Sequence, residues 1–172
     1  MAKRLAAAYE AMPHAPQDPQ VKRAYQNLIR QTTAQYRALA DAGYRFYFFD
    51  TSNDPYQGNP WNAMRDLRAN QVMGVFATEA GFGSGATDLN VDDNPLLADT
   101  GIEWPAGSLD GRPKRVLAND LFRAVHDAFG HGLEGAGFRA RGEENAWQGH
   151  ARLFTGSALA ALTSETRGQN SW

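Results

Sequence analysis

The sequence predicts an α+β fold, with helices around a small sheet in one domain spanning residues 1–172. Three observations predict it. The chain has 172 residues and no internal repeat, which suits one domain. Apolar residues recur at helical spacing in the first third of the chain and again towards its end. Short apolar and aromatic stretches lie between the helical segments, as expected of a few strands.

The first predicted helix begins at Asp18-Pro19, because Asp is a good N-cap and Pro suits the first helical position. Residues 44–49 are aromatic-rich and predict a short strand. Asn59-Pro60 opens a second helix, and residues 72–78 predict a second strand. The helix that begins at Asp18-Pro19 is predicted to end at Gly43, before the first strand. Its apolar stripe consists of Val21, Tyr25, Leu28, Ile29, Tyr36 and Leu39.

The second half of the chain starts with an irregular acidic stretch at residues 79–100. A third strand is predicted around residues 102–104, and the basic cluster at residues 112–115 predicts a solvated turn. Asn119-Asp120 caps a helix that Gly130 is predicted to end. A last helical region runs from Glu143 to about Thr166, with a predicted interruption at Gly156-Ser157.

Composition excludes several classes of protein. The net charge of −2, from 17 basic and 19 acidic residues, argues against binding to nucleic acid by bulk charge. No apolar run approaches the roughly 18–20 residues of a membrane helix, and the first residues make a poor signal peptide, so we expect a cytoplasmic protein. The absence of cysteine excludes disulfides and thiolate-ligated metals.

Three of the four histidines, His126, His131 and His150, lie within 25 residues of one another. Imidazole and carboxylate are the donors that a cysteine-free chain offers to Fe(II), Mn(II) or Zn(II). Residues five apart on an α-helix lie about 140° apart around the axis, so His126 and His131 would not share an ion there. We expect a helix end at Gly130 to bring them together. The nearby carboxylates are Asp127, Glu134, Glu143, Glu144 and Glu165.

The hexapeptide His126-Asp127-Ala128-Phe129-Gly130-His131 resembles the iron-binding signature of the pterin-dependent aromatic amino acid hydroxylases. Thr163-Ser164-Glu165 is similar to the element that supplies that family's glutamate ligand. The resemblance covers about residues 119–166. It implies that His126, His131 and Glu165 bind Fe(II) as a facial triad with open positions for dioxygen, and that a pterin is the cosubstrate.

The third ligand depends on the helix that follows Glu143. If that helix were unbroken, His150 and Glu165 would be about 22 Å apart and could not share an ion. Glu144 or His150 would then replace Glu165. Asp127 and His150 are otherwise predicted to orient ligands or move protons, so Asp127, His150 and Glu144 are the candidate catalytic residues.

The whole chain also resembles an uncharacterised domain encoded by tailed phages and mobile elements, especially at residues 142–147 and 165–172. The leading hypothesis is a mononuclear non-haem iron oxygenase that acts on a small molecule. A zinc hydrolase with the same ligands and a non-enzymatic phage or mobile-element domain are the alternatives. Neither a membrane nor a nucleic acid is an expected partner, and no oligomeric state is predicted.

Overall fold

A computed structural model describes residues 2–81 and 90–168. Within these residues the chain forms seven α-helices and two two-stranded sheets, which confirms the predicted α+β class. None of the helices described there is both long and apolar enough to cross a bilayer. The elements are α1 (Ala2–Glu10), α2 (Pro19–Asp41), β1 (Arg45–Phe49), α3 (Pro60–Asn70), β2 (Val72–Phe76), α4 (Thr78–Gly81), β3 (Asp99–Pro105), β4 (Pro113–Leu117), α5 (Ala118–His126), α6 (Ala140–Ala151) and α7 (Ala158–Thr163).

α2 is the longest helix and begins where the sequence predicts. The Asp18 side chain accepts hydrogen bonds from the backbone N–H groups of Gln20 and Val21, at 2.7 and 3.3 Å, and so caps the first turn. The helix buries Leu28 and Leu39 against the rest of the molecule. α2 therefore provides the long surface on which α5 and α7 pack.

The two sheets are small and lie side by side. β1 and β2 pair in parallel, with Phe46 opposite Met73, and α3 forms the connection between them. β3 and β4 form an antiparallel pair, and one bridge from Phe48 to Ala106 joins the two sheets. The solvated turn predicted at residues 112–115 is wrong, because residues 113–115 lie in β4 and pair with β3.

The interior divides into two apolar clusters that meet at α5. Leu121 and Val125 of α5 face the cluster built on the sheets and α3. Phe122 faces a second cluster, which includes Leu28 of α2 and Leu162 of α7. Because both sides of α5 are covered, the side chains at its C-terminal end are carried into the interior of the molecule.

The predicted interruption of the last helical region is confirmed. α6 ends at Ala151, the chain turns at residues 152–157, and α7 begins at Ala158. Gly156 adopts a positive φ of 62° in this turn, a backbone conformation that favours glycine. α7 then packs along α2 and continues into a π-helical segment, Ser164–Gly168.

Candidate metal centre

A π-helical turn brings two histidines to the same side of the chain. α5 ends at His126, and the chain continues as a π-helix over Asp127–Leu133. A π-helix closes hydrogen bonds between residues five apart, so its turn places residue i+5 above residue i. The ring centroids of His126 and His131 are 5.4 Å apart, and the rings are nearly perpendicular at 89°.

Gly130 allows two helical segments to pack closely here, and the prediction that it ends the helix is wrong. The helical path continues through it to Leu133. A Cβ atom at this position would lie 3.0 Å from the carbonyl oxygen of Ala146 and 3.3 Å from Cε1 of His126. Glycine therefore lets α6 approach the π-helical turn closely. This approach carries Glu143, which is on α6, to the histidine pair.

The donor atoms of His126, His131 and Glu143 lie within 4.8 Å of one another. Nε2 of His131 is 3.4 Å from Oε2 of Glu143. The two histidines are buried, with 7% and 1% of their surface exposed, while the Glu143 side chain is 20% exposed. Two imidazoles and one carboxylate thus converge on one point, and Glu143 is the most exposed of the three.

The orientation of His131 is fixed on both sides of its ring. Nδ1 of His131 lies 3.1 Å from the carbonyl oxygen of Ala136. A carbonyl oxygen only accepts hydrogen bonds, so Nδ1 is the donor. Phe138 stacks on the ring, with centroids 4.2 Å apart and planes 15° apart. Nε2 is therefore the nitrogen that faces Glu143, and in neutral His131 it carries the lone pair that a metal requires.

His126 contacts a third histidine in the interior. Its Nδ1 atom is 3.0 Å from Nδ1 of His150, which is fully buried on α6. The ring of His126 stacks with that of Phe122 at 6.1 Å. The rings of Phe129 and Phe154 also lie against His150. This aromatic surrounding holds both imidazoles away from water.

Burial shifts the pKa values of the groups around the site. Burial, with a smaller effect from charged His131, lowers the pKa of His126 to about 4. Burial, followed by neighbouring His126, lowers the pKa of His150 to about 3. Burial raises the pKa of Asp127 to about 6. Burial alone would lower the pKa of His131, but Glu143, Asp127 and the hydrogen bond to the Ala136 carbonyl together raise it, so its net shift is upwards.

We expect the metal-free protein to lose stability as the pH falls from about 6 to about 4. In this range His126 and His150 are mostly protonated in the unfolded chain, where their pKa is about 6.5, whereas the fold lowers their pKa values to about 4 and 3 and keeps them largely neutral. The fold instead gains one proton on Asp127, whose pKa it raises to about 6. The unfolded chain therefore binds about one proton more, and the free energy of unfolding should fall by up to about 1.4 kcal/mol per pH unit. Urea unfolding at several pH values, with a chelator present, tests this. A free energy of unfolding that rises on acidification would contradict it.

Glu165, the carboxylate implied as third ligand by the hydroxylase resemblance, lies outside the group formed by His126, His131 and Glu143. Glu165 accepts a hydrogen bond from the Tyr25 hydroxyl. The reason is the path of α7: the chain does turn back after α6, but α7 packs along α2 and delivers Glu165 to Tyr25. Glu143 supplies the carboxylate of the group instead.

The candidate catalytic residues lie around this group in different ways. Asp127, half-buried, immediately follows His126, and its charge acts on His131. His150 contacts His126 directly. Glu144 forms an ion pair with Nε of Arg167 at 2.8 Å, so the neighbour of Glu143 is held by a different partner.

The sequence alone identifies Glu143 only as one of several carboxylates near the histidines. The signal that could have found it is its spacing from His150. Glu143 and His150 are seven residues apart on α6 and therefore share a helix face. Ala146 lies between them on that face, and a Cβ at Gly130 would be 3.1 Å from its Cβ. A small residue between a carboxylate and a histidine marks the face that approaches the π-helical turn.

The chain was compared with protein-family models, curated proteins and solved structures, and none of these comparisons gave a match.

Proposed function

We propose that the protein binds one Fe(II) ion through His126, His131 and Glu143 and uses it to oxidise a small molecule with dioxygen. The observation that carries this proposal is the convergence of these three donors within 4.8 Å. Two histidines and one carboxylate on one face of an ion form the facial triad of non-haem Fe(II) oxygenases. Such an ion supplies open coordination positions at which dioxygen is activated.

The residues fit a metal ion of this kind. Two ligands about 2.1 Å from one ion lie roughly 3–4 Å apart, and His131 and Glu143 are already 3.4 Å apart. The described donors are nitrogen and oxygen, which suit Fe(II), Mn(II) and Zn(II). Hydrogen bonds to the second nitrogen of each histidine fix the rings, as is usual for metal ligands.

The surface beside His131 favours a substrate with an apolar or aromatic part. Phe138 stacks on His131, and the ring of Trp61 meets Phe138 edge-on with centroids 5.5 Å apart. Trp61 is 47% exposed, so this aromatic wall extends from the buried histidine to the solvent. Aromatic surfaces beside polar groups are typical of small-molecule sites. The hydroxylase resemblance adds a pterin and an aromatic amino acid as the cosubstrate and substrate to examine first.

Zinc-dependent hydrolysis is the second candidate. Two histidines and a glutamate also hold catalytic Zn(II), which needs a nearby base to take a proton from water. Asp127 immediately follows His126, and its charge acts on His131, so it is a carboxylate close to the proposed ligands. Asp127 would then have the role of that base.

Anaerobic metal reconstitution tests the proposal. The protein is stripped with a chelator, then titrated separately with Fe(II), Mn(II) and Zn(II), followed by metal analysis and thermal unfolding. We expect one Fe(II) per chain, a higher melting temperature, and an Fe(II)–nitric oxide adduct by EPR because coordination positions stay open. If Zn(II) binds and the Fe(II) sample gives no nitric oxide adduct, the oxygenase proposal is overturned in favour of the hydrolase. The absence of both bound metal and a thermal shift would overturn both proposals and show that His126, His131 and Glu143 form a structural polar cluster.

A further inference from the structure

A chain of hydrogen-bonding side chains runs from α2 to the candidate metal centre. It starts at Gln35 on α2, whose Oε1 atom lies 2.8 Å from Nε2 of His150 on α6. The other ring nitrogen of His150, Nδ1, lies 3.0 Å from Nδ1 of His126. The three side chains connect two helices to the end of a third. Because each histidine ring nitrogen can donate or accept, the direction of one hydrogen bond in this chain determines the direction of the next.

The amide of Gln35 has a defined orientation. Its Nε2 atom donates a hydrogen bond to the backbone carbonyl of Leu153, at 3.3 Å. If the amide were rotated by half a turn, Oε1 would face that carbonyl oxygen, and two acceptors would oppose each other. The Leu153 carbonyl therefore holds Oε1 towards His150. The group that faces His150 is therefore always a hydrogen-bond acceptor.

An acceptor at Gln35 determines the proton positions on both histidines. Oε1 requires a proton on Nε2 of His150. His150 is fully buried among phenylalanine rings, which favours neutral imidazole, so its Nδ1 atom carries the lone pair. Nδ1 of His126 must then be the donor across the 3.0 Å contact. A neutral His126 with its proton on Nδ1 presents a lone pair at Nε2.

We propose that Gln35 is a positioning residue that sets, through His150, the tautomer of His126 in which Nε2 can bind a metal ion. The tautomer itself follows from the hydrogen bonds, while its use in metal binding rests on the proposed function. Nδ1 of His131 is fixed in the same sense by the Ala136 carbonyl. The Nε2 lone pairs of the two histidines are thus fixed in two independent ways. A backbone carbonyl fixes that of His131, and the side chain of Gln35, 91 residues earlier in the sequence than His126, fixes that of His126.

Nitrogen NMR of the metal-free protein tests the tautomers directly. Long-range proton–nitrogen spectra distinguish a protonated ring nitrogen from one with a lone pair. We expect His126 to be protonated at Nδ1 and His150 at Nε2 in the native sequence. In Gln35→Met, which keeps the side-chain length but removes the acceptor, the two nitrogens of His126 should move towards averaged signals. His126 protonated at Nε2 in the native sequence would overturn the proposal.

Gln31→Met provides a matched control. Gln31 lies one turn earlier on α2 and makes two hydrogen bonds to the backbone of Thr155, so it contacts the same turn without touching His150. We expect Gln35→Met to weaken the binding of added Fe(II) or Zn(II) by about 10–100-fold, and Gln31→Met to leave it within a few-fold. Equal effects of the two substitutions would reduce Gln35 to a structural role and overturn the proposal. A native protein that shows the expected tautomers but binds no metal would contradict the proposed function and leave the tautomer chain intact.

Discussion

His131→Ala should abolish stoichiometric metal binding. His131 supplies the most buried donor of the group, and its ring is held by Ala136 and Phe138 with Nε2 towards Glu143. Loss of one of three protein ligands should cost more than the roughly 10–100-fold typical of a residue that only supports a ligand. Metal analysis after reconstitution with one equivalent of Fe(II) or Zn(II) measures the effect. Bound metal should fall to background.

The stability of the same variant separates metal loss from unfolding. In the presence of a chelator, His131→Ala should lower the free energy of unfolding by about 1–3 kcal/mol, because the Ala136 carbonyl loses its buried hydrogen bond. Circular dichroism should therefore still show a folded protein. His14→Ala is the control, since His14 is exposed and pairs only with Asp93 among the contacts described. A folded His131→Ala protein that keeps its metal would contradict the candidate centre.

Much of the fold follows from local signals in the sequence. Asp18 and Asn59 cap α2 and α3, each followed by a proline, and both helices begin where these signals place them. β1 and β2 are also where the aromatic and apolar stretches predict them. Such elements are predictable because a cap or a periodic stripe acts over a few neighbouring residues.

β4 was missed because it lacks a local strand signal. Its first residues, Pro113 to Arg115, are proline and two basic residues, a composition typical of turns. Pairing with β3 overrides this preference: Lys114 lies opposite Trp104, and Lys114 also forms an ion pair with Glu79 at 3.0 Å. Strand formation here depends on partners that are distant in the sequence.

The histidine pair was predicted, but the way in which it forms was not. The motif from His126 to His131 indicated a shared site, and the two rings do meet. The sequence predicts a helix end at Gly130 because glycine commonly follows the last helical turn. Whether glycine ends a helix or accommodates a neighbour depends on what packs against it. Here α6 lies at Gly130, and the chain widens into a π-helix instead.

Glu143→Gln should remove metal binding, whereas Glu165→Gln should retain it. Glutamine keeps the size of glutamate but replaces a charged oxygen ligand with a neutral amide, which binds Fe(II) and Zn(II) more weakly. Glu143 is the carboxylate within 4.8 Å of both histidines, so its loss should lower affinity by at least about 100-fold. Glu165 contacts Tyr25, so its substitution should change stability where the segment after α7 meets α2, and it should leave the metal in place.

Glu144→Gln completes the comparison, because it makes the same chemical change one residue from the proposed ligand. Glu144 pairs with Arg167, and its substitution removes a partly exposed ion pair worth at most about 1 kcal/mol. Titration of all three variants with Fe(II) and Zn(II) should therefore isolate Glu143. Metal loss in Glu165→Gln with normal binding in Glu143→Gln would restore the ligand set implied by the hydroxylase resemblance. It would also require Glu165 to give up its hydrogen bond with Tyr25 when metal binds. Metal loss in Glu143→Gln alone would instead show that the carboxylate comes from the helix that Gly130 allows to approach the two histidines.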